Sequence, residues 1–206
     1  MESLQSLNNG KEYVVLNMDR ESRTSSIDVY SYKTGQKTRT LLNSANLEDV
    51  QFFSGFEFNG DETKLILATE VESIFRRSTR GIFYVYDLQD EELQKISEEK
   101  IQEPTLSPNG KKVAYVRDNN IFIKDLASEE VIQVTSDGEK NKIINGATDW
   151  VYEEEFAFDK AFFWSPKGNK IAYYKFDESG VREFNMPKYG GLYPEDVRFK
   201  YPKAGE

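Results

Sequence analysis

A short polar turn followed by an apolar strand recurs four times along the 206-residue chain. The four copies cover residues 9–16, 59–68, 107–116 and 165–174. Each turn contains a glycine, at positions 10, 60, 110 and 168, so the intervals are 50, 50 and 58 residues. We expect these glycines to supply the positive φ of the turn. The strand that follows is apolar at consecutive positions, which is typical of an inner strand covered on both faces.

Each of the first three copies continues with a second strand that ends near an aspartate, and then with a polar turn and a third strand. The second strands are expected at 27–30, 82–88 and 121–126, and the third strands at 36–42, 93–97 and 131–135. This order predicts one four-stranded antiparallel sheet per repeat. Sheets repeated at about 40–50 residues are typical of the blades of a β-propeller.

The predicted fold is therefore all-β, a partial β-propeller of about four antiparallel blades. The approximate blades are 4–46, 50–98, 102–140 and 158–206. A β-sandwich of irregular hairpins is the alternative, but the same order of turn, strand and aspartate in three successive copies favours the propeller. Four repeats are the lower limit for a closed ring. Because the last copy also ends early, we expect the chain to be part of a larger propeller.

The second repeat departs from this pattern in a way that predicts a protruding β-hairpin. Its segment 65–87 contains two strands that are longer than a blade needs. We call the residues between them, 72–81, the arm; it carries Arg76, Arg77 and Arg80 near its tip. The alternative is an ordinary solvated loop, because charged hairpin tips are common.

The 58-residue interval contains a second departure, an aromatic and acidic segment that predicts a short helical insert at 147–157. Thr148 or Asp149 can cap this helix. Adjacent glutamates on a helix diverge by about 100°, so neighbouring carboxylates can bind a small cation such as an ammonium from two sides. Charge alone favours the alternative, a solvated face with an aromatic core behind it. In that alternative Glu153, Glu154 and Glu155 are solvated, and Trp150, Phe156 and Phe158 fill the core.

Composition excludes several classes of chemistry. The chain has no histidine and no cysteine, so it cannot itself contain a Ser-His-Asp triad, a cysteine nucleophile, a His or Cys metal site or a disulfide. Its net charge of −9 argues against nucleic-acid binding. No apolar run is long enough to cross a membrane, and no signal peptide is visible. A glycosidase that uses only carboxylates fits poorly, because the nearest acidic pair is adjacent in sequence. We predict no catalytic residue, metal site or cofactor in this chain.

Several motifs together resemble the β-propeller of the dipeptidyl peptidase IV family of serine exopeptidases. They are the helical stretch 149–156, the segments 164–166 and 201–205, and the arm residues 75–78 with 85–88 downstream. The resemblance covers nearly the whole chain in the right order. It implies an eight-bladed propeller followed by an α/β-hydrolase domain. It also implies release of dipeptides from the free N-terminus of peptides, with proline or alanine preferred in the second position.

The resemblance also implies roles for individual residues. Glu154 and Glu155 would hold the N-terminal ammonium of the substrate, and Arg76 would contact a substrate carbonyl. Glu153 would be structural. Arg77 and Arg80 have no assigned role.

The family's catalytic serine, aspartate and histidine have no counterpart here, because they belong to its hydrolase domain. We therefore expect a segment of a longer enzyme that is inactive by itself and whose partners are the C-terminal hydrolase domain and peptides with a free N-terminus. The resemblance further implies a homodimer exported to the periplasm or cell surface, although the sequence does not exclude the cytoplasm. A non-catalytic propeller that serves as a protein-interaction module is the alternative.

Overall fold

The computed structural model describes residues 4–205, and three four-stranded antiparallel sheets account for the first two thirds of them. The first contains β1 (Leu4–Ser6), β2 (Glu12–Asp19), β3 (Thr24–Ser31) and β4 (Lys37–Asn43), and a 3-10 turn follows at Ser44–Asn46. The second contains β5 (Gly55–Phe58), β6 (Lys64–Ser73), β7 (Thr79–Asp87) and β8 (Leu93–Lys95). The third contains β9 (Gln102–Leu106), β10 (Lys112–Arg117), β11 (Asn120–Asp125) and β12 (Val131–Gln133). In each sheet the strands pair in sequence order, as blades of a propeller do.

The chain forms two compact units. The first comprises residues 4–71, 81–100 and 106–111, and the second comprises 72–80, 101–105 and 112–205. The core of the first unit contains Val14, Ile27, Val29, Phe53 and Leu65, all fully buried. The core of the second unit is built on Ala114, Val116, Ile121 and Phe162, also fully buried.

The inner strand of the third sheet has the predicted burial on both faces. Successive residues Val113, Ala114, Tyr115 and Val116 of β10 are all buried. Side chains alternate between faces along a strand, so four consecutive buried residues require cover on both sides. The apolar run in the sequence therefore predicted this strand's environment correctly.

The turns before the inner strands agree with the prediction in three copies and correct it in one. Gly10, Gly110 and Gly168 have φ of 64°, 65° and 65°. In the second copy the left-handed residue is Glu62, with φ of 56°, and not Gly60. The amide of Glu62 donates to the carbonyl of Asn59, the same three-residue closure that Gly110 makes. The prediction for Gly60 was wrong because it aligned glycines rather than the hydrogen-bonded position of the turn.

The part of the chain from residue 143 to 177, which includes the turn and apolar strand of the fourth copy, forms short two-stranded pairings and not a continuous four-stranded sheet. It contains β13 (Ile143–Asn145), the helix α1 (Trp150–Phe156), β14 (Phe162–Trp164), β15 (Ile171–Tyr173) and β16 (Lys175–Asp177). β13 pairs with β16, and β14 pairs with β15. A hairpin of β17 (Glu183–Lys188) and β18 (Glu195–Lys200) follows. The sheet is divided because α1 lies between β13 and β14. These two strands pair with the consecutive strands β16 and β15, so without α1 they would form one continuous strand beside them.

Hydrogen bonds join the two sides of this interruption. The amide of Gly146 donates to the carbonyl of Tyr174, and the amide of Tyr174 donates to the carbonyl of Ala161. The amide of Ala161 in turn donates to the carbonyl of Gly146. The helical segment therefore leaves the sheet at Ala147 and returns at Lys160, which face each other as a β-bridge.

Candidate functional site

Helix α1 is short, and its ends are fixed by local backbone chemistry. Asp149 is the N-cap, and its carboxylate accepts a hydrogen bond from the amide of Tyr152 at 2.9 Å. Of the two predicted capping residues, the structure therefore selects Asp149. Ala157 ends the helix in the left-handed conformation with φ of 59°. The segment beyond Ala157 thus turns back toward the strand that α1 interrupts.

The arm is the connection between β6 and β7, which are ten and nine residues long. An ion pair between Arg80 and Glu72 joins its two sides at 2.5 Å. Nearer the end, the amide of Ile74 donates to the carbonyl of Ser78 at 2.9 Å. We call residues 74–78 the arm tip. The predicted protruding hairpin is thus an ordered turn, with Arg76 at its centre.

Glu153 is buried, with 1% of its surface exposed, and it binds the backbone of the arm tip. Its Oε1 accepts hydrogen bonds from the amides of Arg77, at 2.5 Å, and Ser78, at 3.0 Å. The alternative of three solvated glutamates is wrong for Glu153. It is wrong for Phe156 as well, because that side chain is 62% exposed and does not fill the core.

Arg76 and Glu154 form an ion pair in which Nε lies 3.1 Å from Oε1. The Arg76 side chain is 71% exposed and that of Glu154 is 16% exposed. Glu155 is exposed and makes no ion pair within the described part of the chain. The structure therefore brings Arg76 and Glu154 together, with the carboxylate of Glu155 on the next residue of the helix.

Aromatic rings link the arm tip, the helix and the last hairpin. Phe199 of β18 is buried, and its ring lies 6.3 Å from that of Phe75 and 5.2 Å from that of Trp150. Trp150 also packs on Tyr201 at 4.8 Å. Aromatic pairs at these separations each contribute about 0.5–1.5 kcal/mol beyond the burial of their surface. The arm tip is thus joined to α1 by apolar packing as well as by hydrogen bonds.

Two further carboxyl groups near α1 are shifted toward their protonated forms. Burial raises the pKa of Asp149, although the hydrogen bond from Tyr152 opposes the shift. Burial also raises the pKa of Glu178, the nearby charge of Asp149 raises it further, and Lys200 opposes it. A carboxyl with a raised folded-state pKa loses stabilising free energy as pH rises through that pKa. Both groups therefore make the fold less stable when they ionise, above the ordinary values of 3.8 and 4.5.

No group of three or more Asp, Glu, His or Cys side chains that could hold a metal ion occurs among residues 4–205. Over the same residues, no helix has the length and apolar character needed to span a membrane.

Comparison with known proteins decides the family. The family model for the dipeptidyl peptidase IV (DPP IV) N-terminal region matches residues 59–206, well over half of the chain. The chain belongs to the dipeptidyl peptidase IV family. Prolyl endopeptidase FAP of Homo sapiens is 34% identical to this family member over 200 residues, 95% of this chain and 25% of that protein. Dipeptidyl aminopeptidase B of Saccharomyces cerevisiae is 42% identical over 151 residues, 70% of this chain and 18% of that protein.

A solved structure of a dipeptidyl peptidase has the same fold as this family member. The crystal structure of Porphyromonas gingivalis dipeptidyl peptidase 4 matches 99% of this chain with a TM-score of 0.85 and 41% identity. The match covers 29% of that chain, so this sequence spans about a quarter of the length of the proteins it resembles. The predicted fold class, an all-β partial propeller with one short helix and a hairpin arm, is confirmed.

Sequence reasoning missed two parts of the site. It did not find that the amides of Arg77 and Ser78 bind a buried glutamate. It also did not find that Phe199 joins Phe75 to Trp150. The alternation of apolar residues in β18 could have indicated a buried face at Phe199. Backbone amides carry no such signal, because every residue except proline has one.

Proposed function

We propose that this chain is the substrate-recognition part of a dipeptidyl peptidase IV-like serine exopeptidase, which releases dipeptides with proline or alanine in the second position. The observation that carries the proposal is the 3.1 Å ion pair between Arg76 and Glu154. These residues were predicted to bind one substrate although they are 78 positions apart in sequence. Their contact supports a single peptide-binding site that also includes Glu155.

In this proposal, Glu154 and Glu155 bind the N-terminal ammonium of the peptide. An ammonium has three donors, and each carboxylate can accept more than one hydrogen bond. Glu154 can therefore bind the ammonium while it remains paired with Arg76, and Glu155 is exposed to solvent. Each charge-assisted bond contributes about 1.5–3 kcal/mol. Two such bonds at a fixed position select peptides whose free amine lies one dipeptide from the reacting bond.

Arg76 is proposed to bind a backbone carbonyl of the same peptide. Its guanidinium has five donors in a planar arrangement, and the contact with Glu154 uses Nε. Most of the side chain is exposed, so the other donors are accessible to a ligand. Arg76 would then fix the peptide's orientation while the two glutamates fix its end.

The chemistry of bond cleavage is proposed to come from the rest of the full-length protein. A C-terminal α/β-hydrolase domain would supply the serine, aspartate and histidine, since this chain contains no histidine. The 206-residue chain alone would then be inactive. The full-length protein is proposed to be exported to the periplasm or the cell surface.

Replacing Arg76 with alanine in the full-length protein should lower kcat/KM for dipeptide release by about tenfold or more. The midpoint of thermal unfolding should change little, because the side chain is mostly exposed and its ion pair is near the surface. The assay is release of a chromogenic amide from a Xaa-Pro substrate, together with thermal unfolding of the same samples.

Arg77→Ala is the matched control, because it removes the same charge from the arm tip and keeps the backbone amide that Glu153 binds. We expect it to retain kcat/KM within about twofold. Equal losses in both variants, or a large fall in the melting temperature with unchanged kinetics, would contradict the role of Arg76. A full-length sequence without a Gly-x-Ser-x-Gly elbow would instead favour a non-catalytic interaction module.

We also propose that the full-length protein is a homodimer, as the resemblance implies. Large apolar side chains are exposed on β17–β18 and its connecting loop, among them Tyr189, Leu192 and Tyr193. Exposed apolar patches of this kind are typical of protein interfaces. Sedimentation equilibrium of the full-length protein at micromolar concentration should give twice the mass of one chain, and a single-chain mass would overturn this part of the proposal.

A further inference from the structure

We propose that Glu153 is a positioning residue for substrate binding, because it binds the backbone amides that directly follow Arg76. This inference rests on the function proposed above, since it concerns how Arg76 reaches the substrate. A positioning role predicts that changes at Glu153 raise KM, whereas a purely structural role predicts a loss of stability without a specific change in KM.

The hydrogen bonds of Glu153 act directly on the main chain beside Arg76. The amide of Arg77 belongs to the peptide unit that also contains the carbonyl of Arg76, and this unit is planar. The hydrogen bond from that amide to Glu153 therefore fixes the orientation of the peptide plane between the Cα atoms of Arg76 and Arg77. The bond from Ser78 fixes the next plane as well. The backbone after Arg76 thus has little rotational freedom left.

The neighbouring glutamate holds the side chain of the same arginine. Glu153 binds the backbone after Arg76, and Glu154, the next residue of α1, pairs with its guanidinium at 3.1 Å. Two consecutive residues of one rigid helix therefore hold one arginine at two points. A guanidinium held in this way is oriented before any peptide arrives, so less conformational entropy is lost on binding.

Glu153 is buried although only one of its two side-chain oxygens is hydrogen-bonded within the described part of the chain. Its side chain is almost fully buried, and Oε2 makes no hydrogen bond with any residue in 4–205. The hydroxyl of Ser78 is likewise buried without a partner among those residues. Burying a carboxyl group with one unpartnered oxygen costs free energy, and both hydrogen bonds that offset this cost come from the arm tip. The carboxylate is explained if its accepting oxygen is needed to place Arg76.

The test compares three substitutions in the full-length protein. Glu153→Met keeps the side-chain volume and removes both acceptor oxygens. Glu153→Gln keeps one acceptor oxygen for the two amides and removes the charge. Glu153→Asp keeps the charge and shortens the reach by one methylene group. Each is assayed with a free-amine Xaa-Pro substrate and with a small sulfonyl fluoride, which reacts with a catalytic serine without needing an amine site.

We expect Glu153→Met to raise KM by about 10- to 100-fold with a smaller fall in kcat, because a guanidinium that is no longer pre-oriented contributes less free energy to binding of the substrate. Glu153→Gln should stay within about threefold of the wild type, and Glu153→Asp should change KM in the same direction as methionine but less. Inactivation by the sulfonyl fluoride should proceed at the wild-type rate in all three. In the Arg76→Ala background, Glu153→Met should add little, because both changes remove the same interaction.

A wild-type KM in Glu153→Met, or additive effects in the double variant, would overturn the inference. So would a glutamine variant as impaired as the methionine variant. If the methionine variant fails to fold, which loss of sulfonyl fluoride inactivation would reveal, the aspartate variant decides by its KM. Glu154→Gln is measured beside these variants: normal kinetics there would refute the proposed function, whereas impaired kinetics with normal Glu153 variants would refute only the positioning role.

Discussion

Changing Glu154 or Glu155 to glutamine in the full-length protein is expected to reduce kcat/KM for dipeptide release by about 10- to 100-fold each. Each change removes the carboxylate charge that pairs with the substrate ammonium and keeps the shape of the side chain and one acceptor oxygen. The loss should be larger for Glu154, because its carboxylate also holds the guanidinium of Arg76 at 3.1 Å. Glutamine at 154 therefore weakens two parts of the proposed site, and glutamine at 155 weakens one.

Steady-state kinetics with free-amine Xaa-Pro substrates measure this effect. Glu130→Gln is a suitable control, since it removes a carboxylate from an exposed turn between β11 and β12 and should leave the kinetics unchanged. Near-normal activity after either of the two site changes would rule out the assignment of these glutamates as the amine-binding pair.

Acetylation of the substrate's N-terminus is expected to have the largest effect, a fall in kcat/KM of about 100- to 10,000-fold. An acetylated amine has no charge and one donor in place of three, so the ion pairs with both carboxylates are lost and at most one hydrogen bond to them remains. The acetyl group would also displace water from the two carboxylates without forming ion pairs with them, and this desolvation adds a further free-energy cost. The measurement is mass-spectrometric detection of dipeptide release from matched free and acetylated peptides.

The same comparison in Glu155→Gln separates amine recognition from other effects of acetylation. The ratio between free and acetylated peptides should shrink in this variant, because part of the wild-type preference depends on that carboxylate. Cleavage of acetylated peptides at the same bond within tenfold of the free peptides would show that the enzyme does not recognise the free amine.

The sequence predicted the repeated parts of the fold well, because each repeat has the same physical cause. A turn, an apolar inner strand and a second strand that ends near an aspartate recur in the sequence, and the strand pairs β2–β3, β6–β7 and β10–β11 form at these positions. The error at Gly60 shows where this reasoning fails. Hydrogen bonding, not residue type, defines the turn position, and Glu62 adopts the left-handed conformation there.

The candidate site was predictable in its parts but not in its contacts. The arm and the helix each broke the repeat pattern, so both could be located from sequence. Charge alone suggested a solvated face for Glu153, yet it is buried because two backbone amides 76 and 75 residues away bind it. Such a pairing leaves no periodic pattern in either segment. Phe156 is exposed because Trp150 and Glu153, and not Phe156, form the side of α1 that packs against the rest of the protein.

The way in which α1 leaves and rejoins the sheet affects how this region can change. The excursion begins at Ala147 and ends at Lys160, and these residues face each other across a β-bridge. Residues added or removed between them do not alter the register of β13 with β16 or of β14 with β15. The segment that contains α1 can therefore change in length and sequence on a constant sheet, and under the proposed function such changes would alter substrate preference without rebuilding the strands around it.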